Sequence, residues 1–404
     1  MQPNLPDQAL RRTDSFFRFR RMDIRRDVTL SHFQLRNVLA CTSRTSAFYP
    51  GNDAVHQFNP VSGGSRVAMS LGVTPGSQVS TLAAGHGILL AGRFNGEYLM
   101  RRLDSEEPEA AECHDGLITT NLSGITNHIQ IHEGRGATTP LAAFASNDTV
   151  FRVLDVATET WLSREKFPFP LNCSALSPDH RLRVMVGDDL NVLVTAAEST
   201  LSRGRPEVLQ SLAGHRDYGF ACDWADDGWT VATGFQDKSI KIWDARWWSD
   251  SSGTATPVCT LRTEMSGVRS LRFSPIGSGK RVLVAAEEAD FVNIIDAQTF
   301  MSKQTVDIFG EIGGVTFMND GHDLGILCCD RLRGGLIQLE RCGAWKETTG
   351  WGMDDGLATH NDYRWRRGGS FDWQRSRFTE HKRVKETMTR RRRRPAMMDD
   401  LEPF

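Results

Sequence analysis

The chain has 404 residues, and its 48 Lys and Arg nearly balance 50 Asp and Glu, so the whole molecule carries no strong electrostatic preference. No apolar run approaches the ~20 residues of a membrane-spanning helix, and the eight cysteines lie without metal or disulfide spacing. Reduced thiols in a cytoplasmic or nuclear protein are expected; Asp7, Asp14 and Asp23 argue against a transit peptide.

Residues 1–28 read as an irregular basic and aromatic arm. Arginines alternate with aromatics through Phe16-Phe17-Arg18-Phe19-Arg20-Arg21. The arm could meet nucleic acid or an acidic partner. The simpler expectation is an extended segment that packs its aromatics on the first repeat, because arginine stems cover apolar surface well. Residues 29–341 look like repeats, with short β-branched and aromatic runs separated by turn residues. The first unit spans His32 to Pro60. The second spans Arg66 to Leu103 and has an Asn95-Gly96 hairpin turn. Residues 104–112 are acidic and read as an exposed loop. The third unit spans Asn121 to Trp161, with Asp148 seven residues before Asp155. The fourth spans Phe169 to Ala197, the sixth Val258 to Asp296 and the seventh Gln304 to Glu340.

The fifth unit, Ser211 to Arg246, is the clearest. Gly214-His215 opens it and Trp243-Asp244 closes it. Asp226-Asp227-Gly228 and Gln236-Asp237-Lys238 make its turns. This pattern resembles the WD40 repeat, which implies an all-β propeller of seven blades at ~40–45 residues per repeat. The resemblance also implies a polar chain through Asp237, His215, Thr233 and Trp243, which is architecture rather than catalysis. In the other units the Trp position holds an aliphatic residue such as Leu154 or Ile295. The passages NCSALSPDHRLRVMVGDDLN, AAEEADFVNIIDAQTF and DIFGEIGGVTF are similar to a little-characterised group of fungal and plant WD-repeat proteins. That group implies no reaction, no cofactor and no catalytic residue, since a fold does not dictate a function.

The resemblance to WD40 proteins puts Arg216, Tyr218, Phe235, Lys238, Arg93 and Phe94 on one face of the propeller as protein-binding candidates. Val231–Arg246 is similar to the box by which some WD40 proteins dock on the adaptor of a cullin-4-type ubiquitin ligase. Arg246 would then project as a planar donor fork. His128 and His132 lie four apart, about 13 Å along a strand, too far for a shared metal. Residues 342–404 form an extension expected to be disordered from about 376. Its run Arg390, Arg391, Arg392, Arg393 and Arg394 is a nuclear-import candidate. The expected function is a non-catalytic scaffold or adaptor for protein or peptide partners. The alternative is a nuclear nucleic-acid- or chromatin-associated factor that uses the basic tails.

Overall fold

The computed structural model describes residues 10–343, apart from 14, 73–74, 104–112, 122, 136–138 and 199–203. The acidic loop and the arginine run at 390–394 therefore lie outside the described residues. Among the described residues there is no α-helix, only one 3-10 turn at Asn319–Gly321.

Five four-stranded antiparallel meanders follow one another, over residues 40–70, 79–117, 126–166, 171–212 and 219–262. An eight-stranded sheet completes the set. One long strand, Ser302–Met318, divides that sheet in two. Its first part pairs with Ala289–Asp296 as the outer strand of a sixth blade. Its second part, from Ile312, pairs with Asp323–Cys328 as the inner strand of a seventh. Apolar clusters join each blade to the next. They pair blades one and two, two and three, three and four, four and five, five and six, six and seven, and seven and one. The last of these packs Tyr49 and Phe58 with Leu327 and Leu336 and closes the ring. The described residues form a seven-bladed all-β propeller. A sheet with two apolar faces cannot bury both alone, and stacking around an axis buries them on two neighbours.

Sequence unit and blade are out of phase by one strand. Ser211 and Leu212 begin the fifth sequence unit, yet they lie in Val208–Leu212, the outer strand of blade four. The same offset leaves blade seven short of an outer strand, and the amino-terminal arm supplies it. Phe17–Ile24 is a strand antiparallel to Gly335–Arg341. The expected irregular arm is thus corrected: its central stretch is blade material. Its aromatics also pack elsewhere than expected. Phe16 and Phe17 are buried among Val282, Val292, Ile326 and Leu339 of blades six and seven, not on blade one. The physical reason is the exposed edge of Gly335–Arg341, a row of unpaired N–H and C=O groups that another strand can satisfy. Gln304 fixes the entry, accepting the Phe17 N–H at 2.9 Å and donating to the Phe17 carbonyl at 2.6 Å.

Candidate functional site

The polar chain of blade five is continuous. Its direction is set by Trp243, whose indole N–H can only donate. Trp243 Nε1 donates to Thr233 Oγ1 at 2.9 Å. Thr233 Oγ1 lies 3.0 Å from His215 Nε2, so its hydroxyl donates there. His215 Nδ1–H then points at Asp237 Oδ2, 3.2 Å away. Asp237 also accepts the Arg216 N–H at 2.9 Å and the Ser239 hydroxyl at 2.6 Å. Phe235 lies flat on the His215 ring, 3.5 Å between centroids. Burial holds the His215 imidazole neutral, with its pKa down at about 4 against the pull of Asp237. Burial by itself raises the Asp237 carboxyl, but hydrogen bonds from His215, Ser239 and the Arg216 N–H hold it below the ordinary carboxylate range. Every donor and acceptor here is used within the blade, which is what a structural network requires.

The binding candidates divide by exposure. Arg216, Tyr218 and Lys238 are exposed. Lys238 has φ of 63°, the left-handed turn geometry. Phe94 is half-buried beside His32. Two candidates are corrected. Phe235 is fully buried, because its face is spent on His215. Arg93 is buried and bonded to Glu97 and the Leu71 carbonyl. Neither can meet a partner.

Arg246 sits at the other end of blade five and does not project freely. Its Nε and Nη2 bond both carboxylate oxygens of Asp244, at 2.9 and 2.7 Å. Its guanidinium lies 4.8 Å from the centre of the Trp229 ring. Trp229 and Trp247 are 41% and 74% exposed. This end therefore presents two tryptophans and an oriented arginine that remains open to solvent.

The central channel was not legible from the sequence. It encloses about 270 Å³ and is lined by Gln130, Ser174, Asp223, Arg272 and Thr316, among others. Burial raises the Asp223 carboxyl to about 6, against the pull of Arg272. Asp223 Oδ2 accepts the Phe273 N–H at 2.6 Å, so this acid ties blade five to blade six. His128 lines the same channel. His132, farther along its strand, meets Arg183 at 2.8 Å. Among the described residues no three His, Cys, Asp or Glu side chains gather as a metal-binding group.

A second feature escaped the sequence reading, a bulge at the second residue of six inner strands. The bulged residues are Ser80, Asn127, Asn172, Phe220, Arg269 and Gly313. A bulge re-aims its side chain. Ser80, Asn127 and Asn172 each donate to the carbonyl of the residue opening the next blade's inner strand, namely Thr126, Leu171 and Gly219. The signal in the sequence was the recurring triplet Val79-Ser80-Thr81, Thr126-Asn127-His128 and Leu171-Asn172-Cys173.

With this geometry in view, likeness to known proteins adds the following. No protein-family model matches the chain. An uncharacterized protein of Schizosaccharomyces pombe is 24% identical over 328 residues, covering 76% of this chain and 87% of that protein. Among solved structures, a chain of the crystal structure of the mitotic checkpoint complex superposes with a TM-score of 0.61. It is 16% identical and covers 84% of this chain and 97% of its own length. At that identity the match speaks for the fold alone.

Proposed function

We propose that this chain is a WD40-type propeller that serves as a non-catalytic platform for a protein partner. The observation that carries this reading is the edge formed by Trp229, Arg246 and Trp247. Tryptophan and arginine are the residues most enriched where binding energy concentrates. Here they stand exposed on the blade whose interior is locked by a complete polar chain, so the edge is presented on a rigid support. Asp244 orients the Arg246 fork, and the Trp229 face supports it, which lowers the entropy lost when a partner's acceptor arrives.

The finer reading is a substrate receptor that docks on the adaptor of a cullin-4-type ubiquitin ligase, in the nucleus or cytoplasm. Its support is the placement of Arg246 two residues beyond Trp243-Asp244, on the outer rim. The test is affinity purification of the full chain from cells, wild type against Arg246→Ala with Trp247→Ala. Loss of the ligase adaptor in the double variant supports docking through this edge. Adaptor recovery undiminished by the double change refutes it. A different protein lost in its place keeps the platform reading and removes the ligase branch.

A further inference from the structure

The amino-terminal arm makes two attachments of unequal strength. Phe17–Ile24 meets Gly335–Arg341 through seven registered pairs, and Phe16 and Phe17 are buried with it. That ladder closes blade seven by itself. Just before it the arm adds a smaller piece. Arg11–Arg12 lies beside Ser302 and Lys303 as a fifth strand on the outer edge of blade six. It runs parallel to its partner, a pairing slightly weaker per residue than an antiparallel one. The Arg11 N–H donates to the Met301 carbonyl at 2.8 Å, and the Thr13 N–H to the Lys303 carbonyl at 2.9 Å. Among the described residues no other blade carries such a strand.

The contacts of this piece are few but selective. Leu10 is half-buried and packs on the apolar cluster between blades five and six, where Cys259 and Phe273 also pack. Arg12 stands two residues on, so the period-two alternation of a strand turns it to the same side. Its Nη2 meets Glu264 Oε2 at 3.2 Å. Glu264 comes from the segment that joins the two blades, and Lys303 and Thr305 donate to its Oε1. The Lys303 bond holds the Glu264 carboxyl below the ordinary carboxylate range, so it faces the arm as an anion. Arg11, between the two contacts, is exposed. The groove therefore reads an apolar residue, skips one, and reads a base.

Ring closure does not depend on this piece. The Arg12 side chain is 74% exposed, so its ion pair is screened by solvent. Thr13 Oγ1 accepts the Ser15 N–H at 3.3 Å, and the two hydroxyls lie 2.7 Å apart. This local turn separates the piece from the buried Phe16. Residues 10–13 can lift at the turn while Phe16 and Phe17 stay seated. Lifting uncovers two edge carbonyls, an apolar hollow and a positioned anion, which together make a strand-addition site.

We propose that the outer edge of blade six is a docking slot for an extended peptide of a partner protein with an apolar-x-basic pattern, and that Leu10–Thr13 is the occupant which that peptide displaces. The arm seated in the slot shows the chemistry that fits, and the Glu264 anion selects the base. The slot shares no residue with the edge of Trp229, Arg246 and Trp247, so the two stand or fall separately.

The experiment uses the full chain and fluorescence anisotropy of a labelled synthetic peptide of residues 8–15. Leu10→Asp in the chain removes the group that fits the hollow and frees the slot. This variant should bind the peptide about tenfold or more tightly than wild type, in which the tethered arm competes. Wild type should still bind at higher peptide concentration, since the arm is displaceable. A second peptide that keeps only the Leu-x-Arg spacing, in other flanking residues, should bind as well. Exchange of Arg12 for Glu in the peptide should weaken binding about fivefold or more, and Glu264→Lys in the chain should restore it. A thermal melt of each variant separates lost binding from lost fold. If Glu264→Lys unfolds, Glu264→Gln should remove the preference for Arg over Glu. Arg246→Ala with Trp247→Ala should leave peptide binding unchanged, whatever becomes of the ligase adaptor. Failure of the folded Leu10→Asp chain to bind either peptide overturns the proposal. Binding to Leu10→Asp with none to wild type at any concentration overturns it too, since the arm is then a permanent strand. Wild type that dimerises through its arm, with the dimer lost in Leu10→Asp, assigns the slot to a second copy and overturns the partner reading.

Discussion

Blades five and six solve one problem with different residues. Each must pin the loop that leads into its inner strand. Blade five does so with a neutral imidazole: His215 comes from the loop and lands on Asp237, two residues past the second strand. Blade six uses a carboxylate. Glu287 ends its second strand, is fully buried, and accepts the N–H groups of Glu264, Met265 and Ser266 at 2.7, 2.8 and 2.7 Å. Asn293 donates to Glu287 at 3.0 Å, and Thr305 donates to Asn293 at 3.0 Å. Blade six therefore has a complete polar chain of its own, although its Trp position holds the aliphatic Ile295. The two chains differ in where the charge sits. In blade five the buried loop group is neutral and the charge sits across from it on Asp237, whose side chain is 8% exposed. In blade six the charge itself is buried, and backbone N–H groups neutralise it.

That difference ranks the expected effects. Glu287→Ala removes the acceptor for three backbone donors and an amide, none of which water reaches easily. It should cost about 3–5 kcal/mol, the range for breaking a buried charged network from one side. Glu287→Gln should cost less, because its amide oxygen still accepts. Urea midpoints measure both. A loss below about 1 kcal/mol in Glu287→Ala would mean that the loop holds itself, and the parallel between the blades would fail.

Asp237→Ala should cost about 1–3 kcal/mol, because it takes the acceptor from the Arg216 and Ser239 N–H groups and leaves the His215 Nδ1–H only Ser239 Oγ, while the rest of the chain survives. An unchanged melting midpoint would refute the structural role. His215 adds a pH signature that blade six lacks. Its pKa is 6.5 when unfolded and about 4 when folded. Between those values the unfolded chain binds the extra proton, so stability is full above the unfolded pKa and falls as pH drops through this window. The contribution is on the order of 3 kcal/mol at the acid end. Burial depresses His132 too, to about 3, so the total slope is shared. The contribution of His215 is the part of the slope that disappears in His215→Gln. Equal slopes in the two proteins would show that this imidazole is protonated in the fold.

The same contrast explains what could be read in advance. Blade five was legible because its chain uses Gly-His and Trp-Asp, residues whose spacing is distinctive. Blade six was recognised only as strands, because Glu287, Asn293 and Thr305 are ordinary polar residues that meet only after three strands have paired. The arm Phe17–Ile24 looked irregular for a related reason. Its arginines and aromatics do not alternate cleanly between polar and apolar, and its partner Gly335–Arg341 lies at the far end of the chain. Phe235 misled in the other direction. Its place beside a turn suggested exposure, but the neighbouring imidazole takes its face. The bulged residues were hidden because a bulge shifts the inward–outward alternation by one, and simple period-two reading assumes that no residue is extra.

The smallest expected effect belongs to Arg246→Ala. Its bond to Asp244 is bidentate and short, so geometry alone would suggest importance. The Arg246 side chain is 58% exposed, however, and exposed ion pairs contribute little after solvent screening and side-chain entropy. The polar chain of blade five does not pass through it, and Trp243 is held from the other side by Thr233. The variant should therefore melt with wild type and keep the same pH profile, while Asp237→Ala in the same blade does not. Melting of both variants under one buffer makes the comparison direct. A clear drop for Arg246→Ala would show that the edge supports the blade, and its tryptophans and arginine would then read as scaffold rather than as a surface kept for a partner.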